Sequence, residues 1–341
     1  MAHYDDVVAS LLTAPRTWLV TGAAGFIGSH LVEALLRLGQ RVIGVDNFAT
    51  GHRQNIDVVG GGHPLFSFFE GDVADQGFMQ TACAGVDVVL HQAALGSVPR
   101  SLKDPFATHR ANVDGFLVTL LAAREAGVKR IVYASSSSVY GDDATLPKVE
   151  HRVGRPLSPY AATKAIDELY ADALGRSFGL SCIGLRYFNV FGPRQDPAGP
   201  YAAVIPVWVS NLLRGEPCRI HGDGETSRDF CYVDNAVQAN ILAGVAGEDA
   251  AGRAYNVACG ARTTLLELFE WIRDGLATRE GDPVRRGALR AARPSFGPFR
   301  DGDVRHSLAD ISLARQHLGY EPTHGIAAGL DAGLGWYVEN T

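Results

Sequence analysis

Short apolar runs alternate with amphipathic segments along the first two thirds of the chain. The runs predict strands at the segment that begins with Trp18, at the segment that ends with Asp46, and at Leu65–Glu70, Val86–Leu90, Arg130–Ala134 and Ser181–Arg186. Apolar residues at helical spacing predict helices between them, including Asn112–Ala126 and Tyr160–Phe178. This regular alternation is typical of an α/β fold with a doubly wound parallel sheet.

The composition of the sequence changes near Val190, where segments rich in Pro, Gly and Arg separate shorter helical stretches. We therefore expect a first domain over residues 1–189 and a smaller C-terminal domain over residues 190–233 and 258–341. The segment 234–257 contains a helical pattern followed by a strand-like run, and we expect it to return to the first domain.

Composition and charge narrow the class of protein. Residues 1–15 predict a helical appendage, and they carry Asp5 and Asp6 where a signal peptide would have basic residues. No apolar run is long enough to span a bilayer, so we expect a cytoplasmic protein with no membrane partner. The chain of 341 residues has a formal net charge of −6 and no basic block, which argues against a nucleic-acid partner. Its five cysteines lack the spacing of metal ligands, and we expect no metal site.

A glycine triplet, Gly22, Gly25 and Gly28, stands at the first turn from strand to helix. Glycines there let the backbone approach a pyrophosphate, whose charge the free N–H groups at the helix N-terminus stabilise. Asp46 ends the second strand, where a carboxylate accepts hydrogen bonds from both ribose hydroxyls of NAD and repels a 2′-phosphate. The triplet alone also fits an ordinary tight turn, but together with Asp46 it predicts an NAD site.

A second motif, Tyr160-x-x-x-Lys164, begins a predicted helix that Ser158 can cap and Pro159 can open. The two side chains therefore lie one turn apart on the same face. A phenol, with a pKa near ~10, is a base at neutral pH only where positive charge stabilises its phenolate, and a lysine supplies that charge. The spacing is common on helix surfaces, but here it follows a serine-rich strand end at residues 135–138, which favours a catalytic role.

The glycine triplet, the serine-rich strand end and the Tyr-x-x-x-Lys motif, in this order, resemble the extended short-chain dehydrogenase/reductase family of nucleotide-sugar enzymes. The resemblance covers nearly the whole chain, and residues 93–101 and 300–307 are most similar to bacterial UDP-N-acetylglucosamine 4-epimerases. It implies a Rossmann fold whose first domain binds NAD and whose smaller C-terminal domain binds a UDP-sugar. It also implies a homodimer in which the helices Asn112–Ala126 and Tyr160–Phe178 pair across the interface.

The resemblance further implies a set of site residues. The cofactor contacts come from the glycine loop, the ends of the following strands and the Tyr-Lys pair, namely Gly22, Gly25, Phe26, Ile27, Gly28, Asp46, Asn47, Asp72, Val73, Gln92, Ala93, Tyr160 and Lys164. The UDP-sugar contacts come from both domains, namely Gly96, Ser97, Ser136, Ser137, Ser138, Tyr160, Asn189, Gln195, Val204, Arg228, Arg300, Asp303 and Ser307. The catalytic residues are Ser136, Tyr160 and Lys164. Plainer interpretations remain for several of these residues: Arg228 and Arg300 as surface charges, Val204 as core and Ser307 as a loop serine.

The implied reaction is reversible oxidation of the sugar at carbon 4 through a 4-keto intermediate, with hydride passing to NAD and returning to the opposite face. Tyr160 takes the hydroxyl proton and Ser136 steadies the oxyanion. Galactose-type epimerases usually have a lysine where this chain has Gly96, and dehydratases have Asp-Glu where it has Ser137-Ser138, which disfavours dehydration.

Other functions stay open at this point. They are a UDP-glucose or UDP-uronate 4-epimerase, another NAD-dependent nucleotide-sugar dehydratase, decarboxylase or net dehydrogenase, and a catalytically silent NAD-binding regulator. The resemblance places Ser307 at the wall of the sugar pocket, where a bulkier residue, typically tyrosine, restricts relatives to galactose-type substrates. A small residue there favours a UDP-N-acetylglucosamine 4-epimerase that supplies precursors of surface polysaccharides.

Overall fold

The computed structural model describes residues 2–197, 202–299 and 304–340. Its strands are β1 Thr17–Thr21, β2 Arg41–Asp46, β3 Phe66–Glu70, β4 Val88–His91, β5 Arg130–Ser136, β6 Cys182–Tyr187, β7 Val190–Phe191, β8 Arg219–His221, β9 Ser227–Arg228, β10 Cys231–Tyr232, β11 Arg253–Val257, β12 Thr263–Thr264 and β13 Ser295–Gly297. Its α-helices are α1 Ala2–Thr13, α2 Phe26–Arg37, α3 Arg53–Gly60, α4 Gln76–Ala82, α5 Val98–Lys103, α6 Pro105–His109, α7 Gly115–Glu125, α8 Pro159–Phe178, α9 Val204–Arg214, α10 Val233–Val245, α11 Leu265–Arg279, α12 Pro283–Ala291, α13 Ser312–Leu318 and α14 Ile326–Asn340.

A seven-stranded sheet forms the centre of the molecule, in the order β11-β6-β5-β4-β1-β2-β3. All neighbouring strands in it are parallel. Leu19 of β1 is in register with Ile43 of β2 on one side and with Val89 of β4 on the other. The chain winds outward from β1 in both directions, which confirms the predicted doubly wound α/β fold. Ligands bind such sheets at the carboxyl ends of the strands, where the order reverses.

Apolar side chains cover both faces of this sheet. On one face, Trp18 of β1 packs in a fully buried cluster with Leu31 of α2 and Ile241 of α10. On the other face, Leu19 packs with Phe116 of α7. Each side chain of this size contributes about 1.5–3 kcal/mol when it leaves water, so the sheet and its covering helices set the rigid frame that carries the loops.

The C-terminal half has a second apolar core between α9, α11 and α14. Trp208, Phe269 and Leu334 are buried in it. The strand β11 nevertheless pairs with β6 in the central sheet. The chain thus leaves the sheet after β6 and returns to it at β11, while the exact domain boundaries stay a prediction.

The helix α1 packs along the first core through Tyr4, Val7 and Leu11. The side-chain amide of Gln40 donates a hydrogen bond of 2.8 Å to the Leu11 carbonyl, which ties the end of α1 to the turn before β2. Within the described ranges, no helix combines the length and the apolarity that crossing a membrane requires.

The structure differs from the predicted helix Asn112–Ala126 at the N-terminal end of that helix. Residues Arg110–Asp114 form a π-helical turn, and the α-helix begins only at Gly115. The wider turn accompanies buried hydrogen bonds of Asn112, whose side-chain oxygen accepts from Leu95 N at 2.7 Å and whose amide donates to Thr163 Oγ1 at 2.9 Å. Such π-helical turns are frequent at functional sites. Here the turn connects α8 to the segment that follows β4.

Candidate active site

The turn between β1 and α2 can be made only with glycines. Gly22 has a φ of 68°, and a Cβ on it would lie 2.8 Å from the backbone nitrogen of Ala93. A Cβ on Gly28 would overlap the carbonyl oxygen of Gly22. The N-cap residue Gly25 provides no side-chain hydrogen bond, so the N–H groups at the start of α2 stay available to an anion.

Asp46 is held in place at the end of β2. Its carboxylate accepts hydrogen bonds from Ala24 N at 3.0 Å and from Phe48 N at 2.7 Å. Burial raises the pKa of Asp46, although these backbone donors oppose the rise. Each carboxylate oxygen still has a lone pair for a further donor, as a ribose hydroxyl would require.

A cavity of about 480 Å³ lies at the carboxyl ends of β1, β2, β4 and β5. Every residue that the resemblance implies for NAD lines it, from the glycine loop through Asp46 and Gln92 to Tyr160 and Lys164. The cavity thus joins a tight glycine turn, the Asp46 carboxylate at the end of β2 and a Tyr-Lys pair, and these residues fit a bound dinucleotide. Their individual contacts to a cofactor stay predictions.

Tyr160 and Lys164 lie in the first turns of α8. The Ser158 side chain accepts a hydrogen bond of 3.1 Å from Ala161 N and so caps the helix. The Lys164 ammonium donates to Asp167 Oδ2 at 3.1 Å, and both side chains are only 2% exposed. Burial raises the pKa of Asp167 to about 6, against the lowering effect of the Lys164 charge.

His91, at the end of β4, is a neutral neighbour of this pair. Burial, together with the Lys164 charge, lowers the pKa of His91 to about 3. Its Nδ1 lies 3.0 Å from Thr21 Oγ1, while its Nε2 is buried without a hydrogen-bond partner in the described part of the chain. Because the ring stays uncharged near neutral pH, it adds no positive field to the cavity.

The serines at the end of β5 lie in two places: one lines the cavity, and others belong to the turn that follows the strand. Ser135 lines the cavity and donates a hydrogen bond of 2.5 Å to Glu168 of α8. The Ser136 hydroxyl oxygen accepts from Ser138 N at 3.1 Å, which leaves its own proton free to donate. Ser137 begins a short 3-10 turn with Ser138, whose Oγ is buried with no partner among the described residues.

The cavity also includes polar residues that our sequence reasoning missed or left without partners. Tyr187, at the end of β6, lines it and donates to Gln92 Oε1 at 3.0 Å. Asn240 of α10 in turn donates to the Tyr187 hydroxyl at 2.7 Å and accepts from Gln92 Nε2 at 3.0 Å. Nothing in the local sequence pattern indicates this cluster, because its members are far apart along the chain.

The residues predicted to bind the UDP-sugar do not all line the cavity, unlike those predicted to bind NAD. Gly96 lines the cavity, and the next residue, Ser97, caps α5 with a strained φ of 112°. Asn189 has a φ of 34° and donates to the Asp229 carbonyl at 3.1 Å. Gln195 donates to the Val190 carbonyl, and its side-chain oxygen is buried without a partner in the described ranges. Val204 opens α9 and packs beside the second apolar core, which fits the plainer interpretation of that residue.

Two of the residues predicted for the UDP portion and the sugar wall come together outside the cavity lining. Arg228 donates to the Ser227 carbonyl at 3.0 Å, and Ser307 N donates to the same carbonyl at 3.0 Å. Arg228 and Ser307 therefore lie next to each other in the C-terminal half. The predicted residues Arg300 and Asp303 lie outside the described residues.

The loop Gly192–Asp196 is fastened to α2. His30 Nε2 lies 2.9 Å from the Pro193 carbonyl, and Arg194 donates to Glu33 at 2.7 Å. Burial lowers the pKa of His30 to about 4, so its ring is neutral near pH 7. Burial disfavours the charged form of Glu33, but the Arg194 hydrogen bond and charge outweigh it and lower the pKa of Glu33. The helix that begins the predicted pyrophosphate site thus also positions the loop that contains Gln195, one of the residues predicted for the sugar.

Comparison with known proteins extends this picture. The model of the NAD dependent epimerase/dehydratase family matches residues 18–258. A UDP-glucose 4-epimerase of Mycolicibacterium smegmatis is 38% identical over 315 residues, which cover 92% of this chain and 95% of that protein.

Solved structures are similar over the same extent. A UDP-N-acetylglucosamine 4-epimerase from Methanobrevibacter ruminantium, in complex with UDP-N-acetylmuramic acid, is 36% identical with a TM-score of 0.87, covering 96% of this chain and 99% of its own. A UDP-glucose 4-epimerase from Thermotoga maritima with UDP-glucose is 34% identical with a TM-score of 0.85, covering 95% and 99%.

The carboxylate of Asp46 yields a test of cofactor selection. We expect Asp46→Asn to weaken NAD binding by roughly ten- to a hundredfold, because it removes one charged acceptor, and to relax the rejection of NADP. Titration of the cofactor-stripped protein with NAD and NADP measures both effects. Asp57→Asn, an exposed change on α3, is the matched control. Unchanged NAD affinity together with continued rejection of NADP would contradict this role of Asp46.

Proposed function

The chain belongs to the NAD-dependent epimerase/dehydratase family, and within this family we propose that it interconverts UDP-N-acetylglucosamine and UDP-N-acetylgalactosamine by inversion at carbon 4. It is an NAD-dependent UDP-sugar 4-epimerase, and the three relatives described above, which align with more than nine tenths of its length, are named as 4-epimerases. The choice of the N-acetylated sugar is the finer part of the proposal.

One observation carries the enzymatic proposal. Tyr160 and Lys164 line the same cavity as the glycine loop and Asp46. A base placed there faces the reactive end of a dinucleotide whose pyrophosphate lies on α2 and whose adenosine ribose lies at Asp46. A regulator that only bound NAD would need the glycine loop and Asp46, but it would have no use for a Tyr-Lys pair.

The chain's own groups handle the proton of the reaction. When bound, NAD supplies the redox chemistry by taking up hydride from carbon 4 and giving it back. The Tyr160 phenolate accepts the proton of the 4-hydroxyl during oxidation and returns it during reduction, and the Lys164 ammonium favours that phenolate. Ser136, whose hydroxyl proton is free to donate, hydrogen-bonds to the same sugar oxygen.

The overall reaction consumes neither a proton nor an electron pair. The cofactor therefore has no need to leave between turnovers, and tight retention is an advantage. Inversion requires the 4-keto sugar to present its opposite face, so the sugar itself must be held loosely while the UDP portion is held firmly. Arg228 is suited to hold the UDP portion firmly, because a guanidinium binds phosphate oxygens with fixed geometry. It lies in the C-terminal half, outside the cavity lining, and so leaves the sugar loosely held.

Small residues support the N-acetylated substrate. Gly96 lines the cavity where a bulkier side chain would reduce the space, and Ser307 lies half-buried in the C-terminal half, beside Arg228. A 4-epimerase acting on UDP-glucose is the second candidate, because relatives from Mycolicibacterium smegmatis and Thermotoga maritima have that name.

We also propose a cytoplasmic homodimer that supplies precursors of surface polysaccharides. Exposed apolar side chains on α8 support the dimer, since Leu169 is 68% and Phe178 53% exposed. This is the helix that the family resemblance assigns to the interface.

Direct analysis of sugar products tests the proposed substrate. We expect the purified protein to convert UDP-N-acetylglucosamine to an equilibrium mixture with UDP-N-acetylgalactosamine, without added NAD and without net NADH release. UDP-glucose and UDP-glucuronic acid are incubated in parallel. Faster conversion of either of these would replace the N-acetylated substrate in the proposal. Release of a dehydrated or decarboxylated product would refute epimerisation itself.

Tyr160→Phe tests the catalytic base. We expect turnover to fall by about 10²- to 10⁴-fold, because the variant removes only the hydroxyl that moves the proton, while folding and NAD retention persist. The control is Tyr170→Phe, which makes the same change on an exposed part of α8. Turnover of the Tyr160→Phe variant that stayed near the wild-type value, or loss of NAD from that variant, would exclude the proposed role.

Ser307→Tyr tests the sugar wall. The larger side chain should lower conversion of the N-acetylated pair by about 10- to 200-fold and spare UDP-glucose and UDP-galactose, since only the 2-substituent meets the wall. Ser312→Tyr, at the exposed start of α13, controls for added bulk. Equal loss on both substrate pairs would indicate general damage, and unchanged use of the acetylated pair would place Ser307 outside the pocket.

A further inference from the structure

A buried ion pair lies on α8, one to two turns after the proposed base Tyr160. The Lys164 ammonium and the Asp167 carboxylate are 3.1 Å apart, and each side chain is 2% exposed. The second oxygen of the carboxylate, Oδ1, is buried and has no hydrogen-bond partner in the described part of the chain. Among the described residues, the Asp167 carboxylate is therefore committed to Lys164.

The surroundings leave Asp167 as the nearest counter-charge to Lys164. The other groups whose charges interact with the pair are Glu168 on α8, His91 on β4, Tyr133 on β5 and His109 on α6. Tyr160 lies one turn before Lys164 on α8. Glu168 is held by Arg186, with hydrogen bonds of 2.9 and 2.7 Å. Burial raises the pKa of Tyr133 and lowers that of His91, so both are neutral at pH 7.

We propose that Asp167 is a positioning residue that holds the Lys164 ammonium and offsets part of its field, so that it sets the pH at which the Tyr160 base becomes charged. The proposal rests on the proposed function, in which Tyr160 is the base. It adds a residue that does not itself line the cavity and acts through Lys164, which does.

The Asp167 carboxylate acts on Tyr160 by balancing the charge of the Lys164 ammonium. A lone ammonium beside a phenol favours the phenolate strongly, whereas an ammonium paired with a carboxylate favours it less, because the carboxylate repels the phenolate's charge. Near neutral pH the Asp167 carboxylate is charged, so the offset operates. As the pH falls through about 6, the value to which burial raises the pKa of Asp167, the carboxyl takes up a proton and the offset is lost. The Lys164 ammonium then acts on Tyr160 without that offset.

A plainer interpretation is that Asp167 only makes the burial of a lysine tolerable. Removing one partner of a buried pair destabilises the fold whatever its effect on Tyr160. The two interpretations differ in what the Tyr160 titration does. A purely structural carboxylate would leave that titration unchanged in any variant that still folds.

The experiment measures the ultraviolet absorbance of the phenolate against pH, in the NAD-bound protein without sugar. Each variant is compared with the same variant carrying Tyr160→Phe, so that the difference reports Tyr160 alone. Asp167→Asn keeps an oxygen acceptor for the Lys164 ammonium but removes the negative charge. We expect its phenolate titration to move to lower pH by about one unit.

Two further variants complete the design. Asp167→Glu keeps the negative charge, so its titration should lie closer to the wild-type position than that of Asp167→Asn. Asp172→Asn, on the same helix but facing Arg176 at the surface, should leave the titration unmoved. If Asp167→Asn fails to fold, Asp167→Ser replaces it, because a serine is also a neutral oxygen acceptor and should produce the same direction of shift.

A neutral variant at Asp167 whose titration is unchanged, or moves to higher pH, overturns the proposal. So does a wild-type difference spectrum in which Tyr160 shows no titration. The sugar plays no part in this measurement. Failure here therefore leaves the assigned epimerase reaction standing, and failure of the sugar panel leaves the charge coupling standing.

Discussion

The close approach of α2 to the end of β1 is the contact on which the site depends. A Cβ on Gly28 would overlap the Gly22 carbonyl, and one on Gly22 would press on Ala93 after β4. Only glycine at these points lets the helix begin immediately above the sheet, with its free N–H groups over the strand ends. The same helix then holds the loop that follows β7 through His30 and Glu33. One helix thus positions both the glycine turn and the loop that follows β7.

A buried polar network fixes the second helix of the site. Glu168 of α8 accepts two hydrogen bonds from Arg186 of β6 and one from Ser135 of β5. Arg186 also donates to the Tyr140 hydroxyl at 3.1 Å, and Tyr140 donates to Asn256 of β11. Breaking a buried pair of this kind costs about 3–5 kcal/mol, so the network resists any tilt of α8 against the sheet. Tyr160 and Lys164 are carried by that rigid helix.

Local motifs explain which parts of this structure the sequence predicted. The alternating pattern indicated the strands of the central sheet to within one or two residues. The residues that we expected to contact NAD line one cavity, because they follow strand ends that must meet at one edge of the sheet. The start of α7 escaped prediction, since its π-helical turn depends on Asn112 bonding to Leu95 and Thr163, contacts that a periodic pattern does not encode. The cluster of Tyr187 and Asn240 escaped for the same reason.

The arrangement of charge also follows from what a 4-epimerase does. The proton of the 4-hydroxyl and the hydride of carbon 4 both return to the sugar within one turnover. The site therefore does not need to exchange either of them with water. The structure has the matching features: a neutral His91 and a lysine whose charge is balanced by a carboxylate inside the protein. Burial makes that balance effective, because charges interact strongly where water cannot screen them. In the proposed function, Arg228 holds the nucleotide outside the cavity, which leaves the sugar free to turn beside Tyr160.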